Sequence, residues 1–141
     1  MTYLLDTNAL SEPFRPAPAA AFIARYRAHA GELAISVVTW HEALFGAARL
    51  PAGKRQRAVE RYLREVVQAT FVILPYSQAA AEWHADERAR LEERGRVRPF
   101  ADGQIAATAR VNGLVLVTAN VRDFRDFEGL HVENWMSAKT S

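Results

Sequence analysis

Tyr3-Leu4-Leu5-Asp6-Thr7-Asn8 opens the chain with a short apolar run that stops at three polar residues. No polar residue alternates with the apolar ones. That is the pattern of a strand covered on both faces, as in a parallel sheet. Leu114-Val115-Leu116-Val117 is the clearest run of the same kind. Leu33 to Val38 is apolar and β-branched, Phe71 to Leu74 is stopped by Pro75, and Leu130-His131-Val132 suits a short last strand.

Between these runs the period becomes helical. Phe22, Ile23, Tyr26 and Ala30 recur at helical spacing after a loop marked by Pro13, Pro16 and Pro18. From Thr39 onward Trp40, Ala43, Leu44, Ala47 and Ala48 form one stripe, broken by Pro51-Ala52-Gly53. Helices are predicted over Lys54 to Gln68, over the charged stretch Ser77 to Arg94, and from Asp102 to Asn112, where Gly113 is a favoured stop. Strands alternating with helices imply βα units. The fold class is therefore α/β, a mostly parallel central sheet of four to five strands with helices on both sides. A length of 141 residues suits one domain over 1–141. Residues 136–141 read as a flexible tail, and no internal repeat or second core is visible.

Half of the residues are hydrophobic and 24% are charged, which excludes a disordered chain. The absence of cysteine excludes disulfides, a thiol nucleophile and cysteine-ligated metal. An isoelectric point near 9.3 suggests a nucleic-acid binder, yet the formal net charge is only +2. All basic residues except Lys54 and Lys139 are Arg, whose fork suits phosphates and carboxylates alike. Total charge thus selects no partner; the location of the acids carries more. Asp6 interrupts the N-terminal apolar residues, and the longest uncharged run, Val66 to Ala81, contains Gln68, Thr70, Pro75, Ser77 and Gln78. Neither a secretory signal nor a membrane span is expected, which points to a cytoplasmic protein.

In an open α/β sheet, ligands bind at the carboxyl ends of the strands, where strand order reverses. Asp6 ends the first predicted strand, Glu42 lies in the first turn of the helix after the second, and Asp102 opens the helix before the fourth, which Asn120 and Asp123 follow. Each has a structural reading as well. Asp6, Thr7 and Asn8 suit a helix cap, and Thr39-Trp40-His41-Glu42 suits a capping box. Asp102 shares a stripe with Ile105, Ala106 and Ala109, so its carboxylate is expected to face inward. Two carboxylates about 4 Å apart repel by roughly 4 kcal/mol at an effective dielectric of 20. Convergence of Asp6, Glu42 and Asp102 therefore calls for a proton or a cation. Oxygen ligands, with no Cys and no paired His at helical spacing, favour Mg²⁺ or Mn²⁺ over zinc.

Four segments in order carry a family resemblance: Leu5-Asp6-Thr7-Asn8-Ala9-Leu10-Ser11-Glu12, Val38-Thr39-Trp40-His41-Glu42, Ala101-Asp102-Gly103-Gln104-Ile105-Ala106-Ala107-Thr108-Ala109 and Leu116-Val117-Thr118-Ala119-Asn120-Val121-Arg122-Asp123-Phe124. They resemble the motifs of PIN-domain nucleases and, more narrowly, of VapC-type toxins of bacterial toxin–antitoxin pairs and their FitB-like relatives. The resemblance implies a PIN-like domain and a metal-dependent endoribonuclease. It implies Asp6, Glu42 and Asp102 as metal ligands and Thr118 as a supporting hydroxyl. The fourth acidic position falls on the amide Asn120, with Asp123 near enough in sequence to supply the charge. Thr7 and Asn8 would orient Asp6 or contact phosphate. Since an acidic pocket cannot itself attract RNA, Arg15, Arg96 and Arg98, which flank the predicted site loops, are the candidate RNA contacts. The resemblance further implies a homodimer, a VapB-type antitoxin, operator DNA bound through that antitoxin, and tRNA or rRNA as substrate. Two rivals stand beside it. One is a Mg²⁺-dependent phospho-acceptor or phosphatase, although Asp6-Thr7-Asn8 lacks a second Asp and no Lys falls between Lys54 and Lys139. The other is a non-catalytic binding module whose acids are caps.

Overall fold

Strand β1, Tyr3–Leu5, is the middle of a five-stranded sheet. The computed structural model describes residues 2–137. After β1 come helix α1 (Thr7–Ser11), a 3₁₀ turn over Glu12–Phe14, α2 (Ala20–Ala28), β2 (Leu33–Ser36), α3 (Val37–Ala48) and α4 (Lys54–Arg61). A π-helical stretch over Tyr62–Val67 leads into the short α5 (Gln68–Thr70), followed by β3 (Val72–Leu74), α6 (Gln78–Glu93), α7 (Phe100–Val111), β4 (Val115–Val117), α8 (Val121–Phe124) and β5 (Val132–Glu133). The strand order is β3-β2-β1-β4-β5 and every pairing is parallel. Strand order therefore reverses at β1, between β2 and β4.

Both faces of the sheet are covered, which is why its strands read as unbroken apolar runs. Leu4, Ala34 and Leu116 stand abreast in register and pack with Leu91, Ile105, Ala106 and Phe124, from α6, α7 and α8. The next residues along the same strands, Leu5, Ile35 and Val117, turn to the opposite face and meet Leu10, Phe22, Val67 and Trp135. Gly113 takes a positive φ of 66° just past α7, the left-handed stop that glycine adopts without strain.

Element boundaries moved where local chemistry overrode propensity. Val37 and Val38 belong to α3 rather than to the second strand, because the Ser36 hydroxyl accepts from Thr39 N at 3.1 Å and caps the helix there. The predicted helix over Lys54 to Gln68 is interrupted by the π stretch, whose wider turn keeps Leu63 and Val67 on the buried side. α7 starts at Phe100, two residues before Asp102. Of the predicted tail, residues 138–141 lie outside the described residues, while Met136 packs against the core and donates its N–H to Asn134 Oδ1 at 2.8 Å. Among the described residues no helix is long and apolar enough to cross a membrane.

Candidate metal centre

The C-terminal end of β1 delivers Asp6 to the strand-order reversal, beside the end of β4. Its backbone N–H extends the sheet by donating to Val117 O at 2.8 Å. The Asp6 side chain caps α1: Oδ1 accepts from Thr7 N at 2.8 Å. Its Oδ2 accepts from Asn8 Nδ2 at 3.0 Å and from the Thr118 hydroxyl at 2.9 Å. Asn8 in turn accepts from Ala119 N at 2.9 Å, and the Thr118 hydroxyl accepts from Asn120 N at 3.0 Å. These bonds tie the loop after β4 to the loop after β1 and fix one carboxylate between them. Asp6 is only 7% exposed. Burial pushes its carboxyl above the ordinary range, Glu42 adds to that, and the bonds from Thr7, Thr118 and Asn8 oppose it.

Glu42 arrives from α3. The capping-box reading fails here. Ser36, not Thr39, holds the N-cap, so Glu42 lies in the second turn and has no free amide to fold back on. Its Oε1 instead accepts from the Thr7 hydroxyl at 2.6 Å, which links it to the residue beside Asp6. Thr39 is fully buried and its hydroxyl has no partner among the described residues.

Asp102 stands in the first turn of α7, whose N-cap is Pro99, so an N-cap role is excluded. Among the described residues it accepts no hydrogen bond. Its carboxyl is pushed up to about 6, chiefly by burial and then by the charges of Asp6, Asp123 and Glu42, against a lowering by Arg98. Asp102 therefore feels the charges of three further carboxylates from separate parts of the chain, Asp6, Asp123 and Glu42. Only Asp6 is explained as a cap.

The remaining sequence-predicted residues divide. Asp123, in α8, faces this cluster, and Arg98 Nη1 lies 4.0 Å from its Oδ1. Asn120 is exposed and joins the network through its backbone N–H. Arg15 is 70% exposed, 3.5 Å from Glu12, and lines a groove of about 380 Å³ that starts at Thr7 and Glu42 and runs past Leu10, Phe14 and Tyr62. Arg96 and Arg98 are not free cations. Both donate to Asp126, at 2.9 and 2.6 Å.

Two further residues shape the site without having been singled out. Asp126 anchors both arginines, through a pairing too distant in sequence for any local pattern to signal. Gly103, next to Asp102, lies under the imidazole of the buried His84, which the Tyr76 hydroxyl holds at Nδ1 at 2.8 Å. A signal did exist for Gly103, since glycine inside a helix costs about 1 kcal/mol relative to alanine.

The donor set suits a hard divalent cation. One Glu42 oxygen and both Asp102 oxygens accept no hydrogen bond from the described residues, and Asp6 Oδ1 accepts one. Among the described residues no three acidic or histidine side chains are drawn together tightly enough to hold an ion as they stand. It is the chemistry of these hard oxygen donors that fits such an ion.

Comparison with known proteins agrees with the fold. A family model described as the PIN domain matches residues 3–130. A tRNA(fMet)-specific endonuclease VapC of Shigella flexneri is 35% identical over 137 residues, covering 96% of this chain and 98% of that protein. Among solved structures, FitAB bound to an IR36 DNA fragment superposes with a TM-score of 0.90 at 29% identity, covering 98% of both chains. DNA-bound VapBC from Salmonella typhimurium gives a TM-score of 0.80 at 29% identity, covering 96% of this chain and 98% of that one.

Proposed function

The chain belongs to the PIN-domain family, among its VapC-type members, and on that premise we propose a Mg²⁺- or Mn²⁺-dependent endoribonuclease that acts as the toxin of a toxin–antitoxin pair. The observation that carries this reading is the electrostatic coupling of Asp102 to Asp6, Asp123 and Glu42 at the strand-order reversal. Carboxyls whose proton affinity is shifted by burial and by neighbouring charges concentrate at functional sites.

Asp6, Glu42 and Asp102 hold the ion. A divalent ion there supplies charge neutralisation at a scissile phosphate and a water of lowered pKa. The protein's part is to hold oxygens ready. Thr118 and Asn8 fix the rotamer of Asp6, and the Thr7 hydroxyl aims Glu42. Asp123 adds negative charge on the side where Asn120 has none, while Arg15, Arg96 and Arg98 offset the acids toward the RNA backbone. Transfer RNA or ribosomal RNA is the substrate class; the Shigella flexneri relative is a tRNA(fMet)-specific endonuclease. A VapB-type antitoxin covers the groove beside Thr7 and Glu42, operator DNA is bound through that antitoxin, the chain works as a homodimer, and the place of action is the cytoplasm.

The test is direct. Partner-free protein is incubated with total RNA in Mg²⁺, in Mn²⁺ and in chelator, as wild type, Asp6→Ala and Asp102→Asn. Cleavage that needs metal and is lost in both variants is expected. Cleavage persisting in both removes the site assignment, and cleavage in chelator removes the metal.

A further inference from the structure

Arg98 is anchored at one amino group and open at the other. Its Nη2 donates to Asp126 Oδ2 at 2.6 Å, and Asp126 is itself largely buried. Its Nη1 stands 4.0 Å from Asp123 Oδ1, an ion pair too long for a hydrogen bond, so the N–H groups on that nitrogen remain available. Its Nε is buried without a partner among the described residues. An arginine serving only as a brace would be expected to spend its donors on the protein; this one spends only Nη2.

Asp126 alone does not cancel the charge around it. Arg96 Nη1 also donates to Asp126, at 2.9 Å, so two guanidiniums share one carboxylate and the trio carries a net positive charge. That charge faces Asp123 and is felt by Asp102. On the same side the chain carries the amide Asn120 and no further acid from the β4 loop. Asp123 is the acid on this side of the cluster, and the side already has a cation of its own in Arg98.

We propose that Arg98, held by Asp126, is the fixed cation of the site, so that the chain takes up one divalent ion and the guanidinium supplies the remaining positive charge to the phosphodiester. The inference rests on the nuclease reading above. Arg98 is then a catalytic residue, with Nη1 donating to a non-bridging phosphate oxygen as negative charge grows there, and Asp126 is a positioning residue. A guanidinium suits this place better than an ammonium, because one edge can bind Asp126 while the other binds phosphate.

The experiment measures Mn²⁺ uptake by calorimetry and RNA cleavage in parallel, on the wild type, Arg98→Gln and Arg98→Lys, with thermal melts of each. The wild type is expected to take up one Mn²⁺ per chain. Arg98→Gln removes a repelling charge and is expected to bind Mn²⁺ roughly tenfold more tightly, yet to cleave about a hundredfold more slowly. Arg98→Lys keeps the charge without the fork; its Mn²⁺ affinity is expected within about twofold of wild type, with intermediate cleavage. Opposite signs for metal binding and cleavage are the diagnostic, because a brace would lose both together. Two Mn²⁺ per wild-type chain, unchanged cleavage in Arg98→Gln, or a joint fall of affinity, cleavage and melting temperature in both variants overturns the proposal. A wild type that binds Mn²⁺ and cleaves while Arg98→Gln matches it overturns this inference alone. A wild type that does neither removes the nuclease reading itself.

Discussion

Gly103 lies so close under the His84 ring that a β-carbon on it would overlap the imidazole Nε2. His84 has little freedom to yield: it is buried, bonded to Tyr76 and packed against Phe100 with the rings tilted by 50° and their centroids 4.8 Å apart. The α6–α7 spacing, and with it the placement of Asp102, depends on this missing side chain. Gly103→Ala is expected to cost about 1–3 kcal/mol through overpacking, despite the better helix propensity of alanine. His84→Ala opens the space, so the double variant is expected to be more stable than the sum of the single losses. Denaturant melts of the four proteins read that coupling, and strictly additive losses would show that the ring does not set the spacing.

Asp102 is expected to cost the fold stability that its function requires. Its carboxyl is raised from an ordinary 3.8 to about 6 in the folded chain. Between those values the folded state binds more protons than the unfolded one, so stability falls as pH rises through the window. Below it the penalty is absent; above it the penalty is complete. A two-unit shift corresponds to about 3 kcal/mol at most, and partial solvent screening reduces this to about 1–2 kcal/mol. Asp102→Asn is expected to be more stable than wild type by that amount at about pH 8 and equal to it below about pH 4. By the same linkage, Mg²⁺ is expected to raise the melting temperature at the higher pH and to have little effect where Asp102 is protonated. A metal-induced shift of equal size at both ends would separate the ion from Asp102.

Much of this was legible in the sequence, for reasons that can be located. Leu4, Leu5, Leu116 and Val117 alternate between two covered faces, so every residue of those runs had to be apolar, and no dipeptide rule was needed to see it. Asp6, Glu42 and Asp102 stood out because each follows or precedes such a run. Local rules failed where two rules competed. Thr39 and Ser36 are both good caps; Ser36 won because β2 ends there, and Thr39 was buried. Asp126 was invisible because its partners, Arg96 and Arg98, lie across the fold. The same distance hid the contact of His84 with Gly103.

Glu87 titrates with the sign opposite to that of Asp102. It is 6% exposed and takes two bonds from Arg90, both at 2.8 Å, and one from Glu128 N at 2.7 Å. Those hydrogen bonds, Arg90 first, hold its carboxyl below the ordinary 4.5. A depressed folded value gives stability that is present above 4.5 and is lost as pH falls through the folded value. Glu87→Gln is expected to destabilise the chain by about 1–3 kcal/mol at neutral pH. The difference is expected to shrink in acid, where wild-type Glu87 is protonated too. Because the Arg90 side chain also donates to Asp126 O at 2.7 Å, the variant is expected to loosen the anchor of Arg98 and to slow cleavage without abolishing metal uptake. Acid melts that stay parallel for the two proteins would show that Glu87 carries no pH-dependent stability.

Thr118 tests whether the Asp6 carboxylate must be held still. Its hydroxyl is fully buried, donates to Asp6 Oδ2 and accepts from Asn8 Nδ2 at 3.3 Å and from Asn120 N. Thr118→Val keeps the shape and removes every one of those bonds. Leaving buried polar partners unmatched costs about 1–3 kcal/mol. Thr118→Ser restores the hydroxyl and lacks only a methyl group, so its loss is expected near about 1 kcal/mol. The informative readout is metal affinity at a temperature where all three proteins are folded. With Asp6 free to rotate, Mn²⁺ binding by Thr118→Val is expected to weaken about tenfold, the range seen when outer-shell partners of metal ligands are removed. Thr118→Ser is expected to bind as wild type does. If Thr118→Val loses stability while keeping full Mn²⁺ affinity, the hydroxyl braces the two loops and does not position the carboxylate.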